Sequence, residues 1–361
     1  MKRIILIISL ISFGLVLSTS TSYAQGCDAP SSDEGVQVFG YIQPEINTQF
    51  LDETVVNFQF RRARIGVMGI IPYDFSYYVL LETSQFMNPG DRTGAFLLDA
   101  FVSYTRFDYF KISLGSFKYR FGNELSQACN ALYTINRSKG VDELTGGIGG
   151  GNRDLGIMFL GGNKASLFQY YVSLTNGYGV YETQKNNLLD AYAVTGRVVV
   201  QPIEGLYLGA SGRYMESPSE TVGLPSDTKM RYGVDAEYSF RNFKLFGEYI
   251  NGADDGSYQE GGGCGGDPVT KTGFQDAVSY YGMIVYRWNN FEPVYKFDVY
   301  STMQGEEGVT GTKDVTSMHH TVGLNYYPND WTRIQMNYVY RAEDPVEINN
   351  DCLIVQLQVK F

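Results

Sequence analysis

The sequence predicts an all-β fold: a transmembrane antiparallel β-barrel of 16 strands, with a long third extracellular loop folded into the lumen. Three observations carry this reading. Apolar and polar residues alternate with a period of two along almost the whole chain after an N-terminal leader. The connections between the alternating segments are short and long in strict turn. The last segment ends on an aromatic residue, Phe361, with Leu353, Val355, Leu357 and Val359 at every second place before it.

The leader comes first. Lys2 and Arg3 form a charged start, Ile4 to Leu17 an apolar core, and Ser22-Tyr23-Ala24 places small residues where a signal peptidase reads. The apolar run is too short to span a bilayer. Residues 1–24 are therefore expected to be a signal peptide, and 25–361 a single barrel domain exported from the cytoplasm to the outer membrane. Ala24-Gln25-Gly26 lacks the Leu that precedes a lipidated cysteine, which argues against lipidation of Cys27.

Without Lys2 and Arg3, 26 basic residues face 39 acidic ones, a net charge of −13. That balance excludes a general nucleic-acid binder, which needs a basic surface. No apolar stretch after the leader reaches the length of a membrane helix. The chain holds 29 Tyr and 22 Phe against two Trp, 41 Gly and 11 Pro, a composition of many strands joined by turns. Cys27, Cys129, Cys264 and Cys352 show no CxxC spacing, so neither a zinc site nor another cofactor is expected. Cys129 and Cys264 both fall in long loops, and the sequence leaves open whether they pair.

Sixteen segments alternate, near 36–48, 56–70, 73–84, 95–106, 109–118, 152–161, 164–176, 190–201, 205–216, 228–240, 243–251, 274–287, 291–302, 315–327, 331–342 and 351–361. Their lengths suit tilted membrane strands. Short connections are Ile71-Pro72, Phe107-Asp108, Gly162-Asn163, Pro202-Ile203-Glu204, Arg241-Asn242, Trp288-Asn289-Asn290 and Pro328-Asn329-Asp330. Tight periplasmic turns, longer outer loops and both termini on the periplasmic side describe a bacterial barrel and require an even strand number. A secreted soluble sandwich or propeller also alternates, but does not keep so regular a loop order. Tyr109, Tyr207, Phe240, Phe243, Phe291, Tyr326, Trp331 and Phe361 flank the short turns and are candidates for a periplasmic aromatic girdle.

In lipid, the apolar face of each strand turns outward and the polar face inward. By alternation the inner face carries Arg62, Arg64, Lys111, Arg197, Arg213, Arg231, Lys244, Arg287, Lys296, Arg333 and Lys360, with Glu45, Glu82, Asp99, Asp235, Glu237, Glu248 and Asp298. Such charges are costly in a dry core, so the pattern implies water inside. Sixteen strands leave room for it. The longest connection, about 119–151, is read as a constriction loop. A short helix over Leu125 to Ile135 and a glycine-rich return over Gly146 to Gly151 are expected, the plain alternative being a surface loop.

Three stretches carry a family resemblance. Phe58-Gln59-Phe60-Arg61-Arg62-Ala63-Arg64-Ile65-Gly66, Gly115-Ser116-Phe117-Lys118-Tyr119-Arg120-Phe121-Gly122 and Asn152-Arg153-Asp154-Leu155-Gly156-Ile157-Met158 resemble strands of the phosphate-selective porins O and P. The resemblance covers about the first 160 residues by motif and the rest by layout. It implies a trimeric channel for small solutes, with a constriction lined by Arg and Lys. Arg62 and Arg64 are carried over by motif, and Arg120, Lys111, Arg197, Arg213 and Arg231 are the further candidate lining residues. An obvious lysine cluster is lacking, which points to a general or weakly anion-preferring pore. Outer-membrane lipid, small solutes or anions, two further copies of the chain and the barrel-assembly machinery are the partners implied; the second functional class is a structural or surface-binding barrel without an open pore.

Other chemistry finds little support. His319 and His320 are neighbours on a strand, point to opposite faces and cannot chelate one metal. Gly149-Gly150-Gly151-Asn152 lacks the Lys-Ser/Thr of a phosphate loop. Asp254-Asp255-Gly256 and Asp267 read as solvated loop carboxylates before they read as a calcium site. No barrel-borne Ser–His pair can be established, so no enzyme activity is expected.

Overall fold

The alternation resolves into sixteen strands: β1 (Gln37–Phe50), β2 (Thr54–Ile71), β3 (Phe75–Glu82), β4 (Phe96–Phe107), β5 (Phe110–Lys118), β6 (Arg153–Gly161), β7 (Phe168–Thr175), β8 (Tyr192–Ile203), β9 (Leu206–Ser217), β10 (Asp227–Phe240), β11 (Phe243–Glu260), β12 (Val269–Tyr286), β13 (Phe291–Glu306), β14 (Thr312–Tyr326), β15 (Thr332–Asp344) and β16 (Asp351–Lys360). The computed structural model describes residues 36–86, 94–146, 152–177, 179–180, 191–218, 226–260, 269–306 and 312–361. The expected leader, Cys27, Cys264, Asp267 and Gly147 to Gly151 lie outside the described residues.

Each strand pairs antiparallel with its sequence neighbours, and β1 pairs with β16 to close the barrel. Closure matters because an open edge in hydrocarbon would leave backbone groups without partners, at several kcal/mol each. The seam is made along its length: Phe50 stands opposite Asp351 at one end, and at the other Gly40 and Phe361 exchange backbone hydrogen bonds at 2.9 and 3.0 Å. One register shift interrupts the β1–β2 ladder at Gln43/Pro44, where proline has no N–H to give.

Most of the short turns reverse the chain through left-handed residues, which match the twist of the flanking strands. Arg241 has φ 52° and Gly205 φ 81°. The turn expected at Ile71-Pro72 sits slightly later, on Tyr73 (φ 71°) and Asp74 (φ 68°), because β2 runs through Ile71.

Burial confirms which face is which. Val198, Leu208, Val234, Leu245, Ile284, Val322, Leu324 and Leu357 point away from the barrel and are exposed, while their neighbours on the other face are buried. Such a continuous apolar exterior is stable only against lipid. Tyr109, Phe240, Phe243, Phe291, Trp331 and Phe361 are exposed beside the short turns, and Phe243 and Phe291 pack on Tyr286 and Tyr326 with ring centroids 4.6 and 4.8 Å apart. Tyr207 departs from the expected girdle. It pairs across the ladder with Glu237 on the polar face, and its hydroxyl donates to the Lys164 carbonyl at 3.3 Å.

Two features depart from a simply polar interior. Phe39, Tyr78, Leu80, Phe101, Phe117, Met158 and Leu160 form a buried apolar cluster on β1 and β3–β6. A second cluster joins Phe246, Ile250, Ala277, Tyr281, Met283, Val285 and Val294 of β11–β13 to Tyr119, Phe121, Leu125, Val141 and Leu144 of the long connection after β5. The wall opposite that connection is apolar because it is covered. In addition, β11 and β12 continue past the expected end near Asn251 to Glu260 and from Val269, as a hairpin whose two faces lack the apolar alternation of the membrane belt.

Candidate functional site

The long connection from Tyr119 to Asn152 turns sharply at Gly122, whose φ of 59° suits a residue without Cβ and whose amide donates to Ser211 Oγ at 3.0 Å. Two short helices follow, α1 (Asn123–Ser126) and α2 (Lys139–Thr145). The single helix expected over Leu125 to Ile135 is therefore split: the chain folds into turns through most of that stretch and resumes a helix only after Ser138.

Charged wall residues reach in to hold this loop. The Glu248 carboxylate accepts the amides of Asn123 at 3.1 Å and Glu124 at 3.0 Å, and the Tyr281 hydroxyl at 3.2 Å. Lys296 donates to Glu124 Oε1 at 3.0 Å and to the Asn136 carbonyl at 3.0 Å. The same Glu124 carboxylate accepts the Ser138 amide at 2.8 Å, so one side chain ties both helices to β13. Asp298 accepts the Lys139 amide at 3.0 Å, and Arg231 Nε donates to the Leu144 carbonyl at 2.9 Å. Across the barrel, Arg333 donates to the Leu132 carbonyl, Asn325 to the Tyr133 carbonyl (both 2.9 Å), and Asn337 accepts the Ile135 amide at 2.7 Å. Hydrogen bonds to charged groups contribute roughly 1.5–3 kcal/mol each. Together with the apolar cluster beneath α1 and α2, they fix the loop against the inner faces of β10–β15.

The seven residues expected to line the interior fall into distinct environments. Arg62 is buried and donates to the neutral Gln43 Oε1 at 3.1 Å. Arg64 pairs with Glu82 at 2.7 Å and donates to the Tyr41 hydroxyl at 2.8 Å. Arg197 grips Asp235 with two hydrogen bonds, at 2.5 and 2.9 Å. Arg213 lies 3.9 Å from the Tyr119 ring centroid and 3.8 Å from Asp154. Arg231 pairs with Asp254. Arg120 belongs to the loop itself, donating to the Ser126 carbonyl at 2.9 Å over the Tyr171 ring. Lys111 stands apart from the others, half-buried beside the start of β5.

Pairing thus replaces hydration for most of these charges. Arg153–Asp99 at 2.9 Å and Lys296–Glu124 repeat the pattern. The interior tolerates them because most of these cations meet a carboxylate, ring or carbonyl at contact distance. This corrects the expectation that water alone carries the cost.

One grouping was not anticipated. Cys129 is a free, buried thiol whose Sγ accepts from Arg137 Nη2 at 3.3 Å. Burial raises its pKa, but Arg62, Arg64, Arg137 and Lys118 together lower it further, holding the thiol well below its ordinary range. The sequence signal was present in Arg62, Arg64 and Lys118, but nothing in it placed Cys129 among them. The two histidines separate as expected: His319 Nδ1 lies 3.6 Å from Asp298 on the inner side, and His320 Nδ1 pairs with the Tyr295 hydroxyl at 2.8 Å.

Comparisons with known proteins follow the geometry. The family profile described as Phosphate-selective porin O and P matches residues 47–256, more than half of the chain. No curated protein matches in sequence. Among solved structures, an anion-selective porin from Comamonas acidovorans superposes with a TM-score of 0.65 at 14% identity, covering 91% of this chain and 99% of that one. OmpF of Salmonella typhi, in complex with daunomycin, gives 0.67 at 12%, covering 90% and 97%. The outer membrane channel DcaP of Acinetobacter baumannii gives 0.59 at 13%, covering 92% and 99%. At these identities the structural likeness establishes the fold, a sixteen-stranded porin barrel.

Proposed function

The chain belongs to the phosphate-selective porin O and P family, and from that premise we propose that it is a passive outer-membrane pore for small hydrophilic solutes with a weak preference for anions. A single observation supports the anion preference. Arg62, Arg64, Lys118 and Arg137 surround one thiol where the loop meets β2, and Arg62 has no carboxylate within ion-pair distance among the described residues. An excess of fixed positive charge raises the local concentration of anions. The rest of the interior is close to charge-balanced, which is why the preference is weak.

In this reading the loop from Tyr119 to Asn152 is the constriction, and Arg62, Arg64, Lys111, Arg120, Arg197, Arg213 and Arg231 lie along the conduction path. Residues 1–24 act as a signal peptide. The functional unit is a homotrimer; OmpT of Vibrio cholerae, a barrel of the same fold, has a trimer form. The test is the reversal potential in a salt gradient across a planar bilayer. Wild-type protein gives a modest anion preference, and Arg62→Glu or Arg64→Glu shifts the potential toward cations. An unchanged potential in both variants removes these residues from the path.

A further inference from the structure

Between α2 and the inner face of β13–β15 lies a cavity of about 330 Å³, which shares Arg137 with the cations around Cys129 but carries both signs of charge. Seven ionisable side chains other than histidine line it. Three are cations, Arg137, Lys139 and Arg341, and four are carboxylates, Asp142, Glu143, Asp298 and Glu343; Val339 is the sole aliphatic residue of the lining. The formal sum is −1. Such a wall offers a bare anion such as phosphate as much repulsion as attraction.

The two signs are also unequally engaged. Arg137 is paired with Asp142 at 3.4 Å, and Asp298 accepts the Lys139 amide and faces His319. Arg341 has no carboxylate within ion-pair distance among the described residues; its Nη1 donates to the Asn350 carbonyl at 2.7 Å, which leaves other guanidinium donors for a ligand. Beside it, Glu343 Oε2 and Asn350 Oδ1 are shielded from solvent and accept no hydrogen bond, although both residues line the cavity. Glu143 is exposed on α2. Spare donors and spare acceptors therefore meet across one small space.

We infer that this cavity is a binding site for zwitterionic solutes of amino-acid size, the carboxylate taken by Arg341 and the ammonium by Glu143 and Glu343. The inference rests on the pore reading only for its purpose, since it makes the site a way station for the permeant. Binding itself is independent of conduction. A ligand with both charges satisfies both sets of groups, whereas an anion or a cation of the same size leaves one set without a partner.

The experiment is equilibrium binding by saturation-transfer NMR to the whole protein in detergent, with serine, lactate and ethanolamine as probes. The three are similar in size, and only serine carries both charges. Serine binds saturably, and lactate and ethanolamine bind at least fivefold more weakly. Arg341→Gln weakens serine at least fivefold, and Arg341→Lys restores it to within twofold of wild type. Should Arg341→Gln not fold, Glu143→Gln on the exposed side of α2 provides the second test and weakens serine and ethanolamine alike. Lactate binding as tightly as serine, or serine binding that ignores both substitutions, overturns the proposal. A protein that binds serine but conducts no ions would contradict the pore reading and leave this site standing.

Discussion

Replacing Lys296 with Met should free the constriction loop. Lys296 and Glu124 are almost wholly buried, with side-chain exposures of 1% and 2% and a separation of 3.0 Å. Truncating the cation leaves the Glu124 carboxylate with the Ser138 hydrogen bonds alone in a water-poor site. Removing one partner of a buried pair costs about 3–5 kcal/mol. Loss of the bond from Lys296 to the Asn136 carbonyl adds roughly 1 kcal/mol. That penalty falls on the bound position of the loop, because a loop swung away from β13 returns Glu124 to water. The barrel ladders do not involve either side chain, so the variant still folds. Two readouts follow. Arg137 and Lys139 flank the tethered segment, and trypsin should cut there in Lys296→Met far faster than in wild type. Single-channel records should show a larger and noisier conductance. The double variant Lys296→Met/Glu124→Gln should recover most of the loss, since no charge is then stranded. Equal proteolysis and equal conductance in wild type and Lys296→Met would refute the tether.

Two further expectations come from the same geometry. In a background lacking the other three cysteines, the rate of Cys129 alkylation by iodoacetate should rise less steeply from pH 7 to 9 than that of an ordinary thiol. The surrounding cations hold the Cys129 thiol below the ordinary range, so a larger share of it is thiolate at neutral pH than of a free cysteine. A rate that climbs roughly 25-fold over that range, as for an ordinary thiol of pKa about 8.5, contradicts the cluster. Deleting Phe361 should sharply reduce the amount of folded, heat-modifiable barrel in the outer membrane, through lost recognition by the assembly machinery and loss of the seam bonds to Gly40. Undiminished assembly of the deletion variant would exclude a role for the terminal aromatic.

Much of this architecture was legible because a lipid-facing strand obeys a single rule. Val198 and Val200 point outward and Arg197 inward for the same reason that the last strand alternates up to Phe361, and all sixteen strands were found, most of them near their observed bounds. The rule fails where the environment is not lipid on one side and charge on the other. The upper part of the β11–β12 hairpin, from Gly252 to Glu260 and from Val269 to Gly273, has no such asymmetry in sequence and read as loop. The apolar inner residues Phe246, Ile250, Tyr281 and Met283 made sense only once Tyr119, Phe121 and Leu125 were seen to cover them.

The site was half legible. Alternation put Arg62, Arg64, Arg197, Arg213 and Arg231 on the inner face, as found by their burial. It gave no partners, because ion pairs such as Arg197–Asp235 and Arg153–Asp99 cross from strand to strand over large sequence separations. The placement of Cys129 beside Arg137, and of Glu124 beside Lys296, depends on the path of a loop with no period to read.

The central claim is that this barrel conducts. Purified protein, inserted into planar bilayers in symmetric potassium chloride, should add discrete conductance steps, and in proteoliposomes it should admit small hydrophilic solutes at rates that fall steeply with solute size. A correctly folded, membrane-inserted barrel that produces neither conductance steps nor solute entry would contradict it.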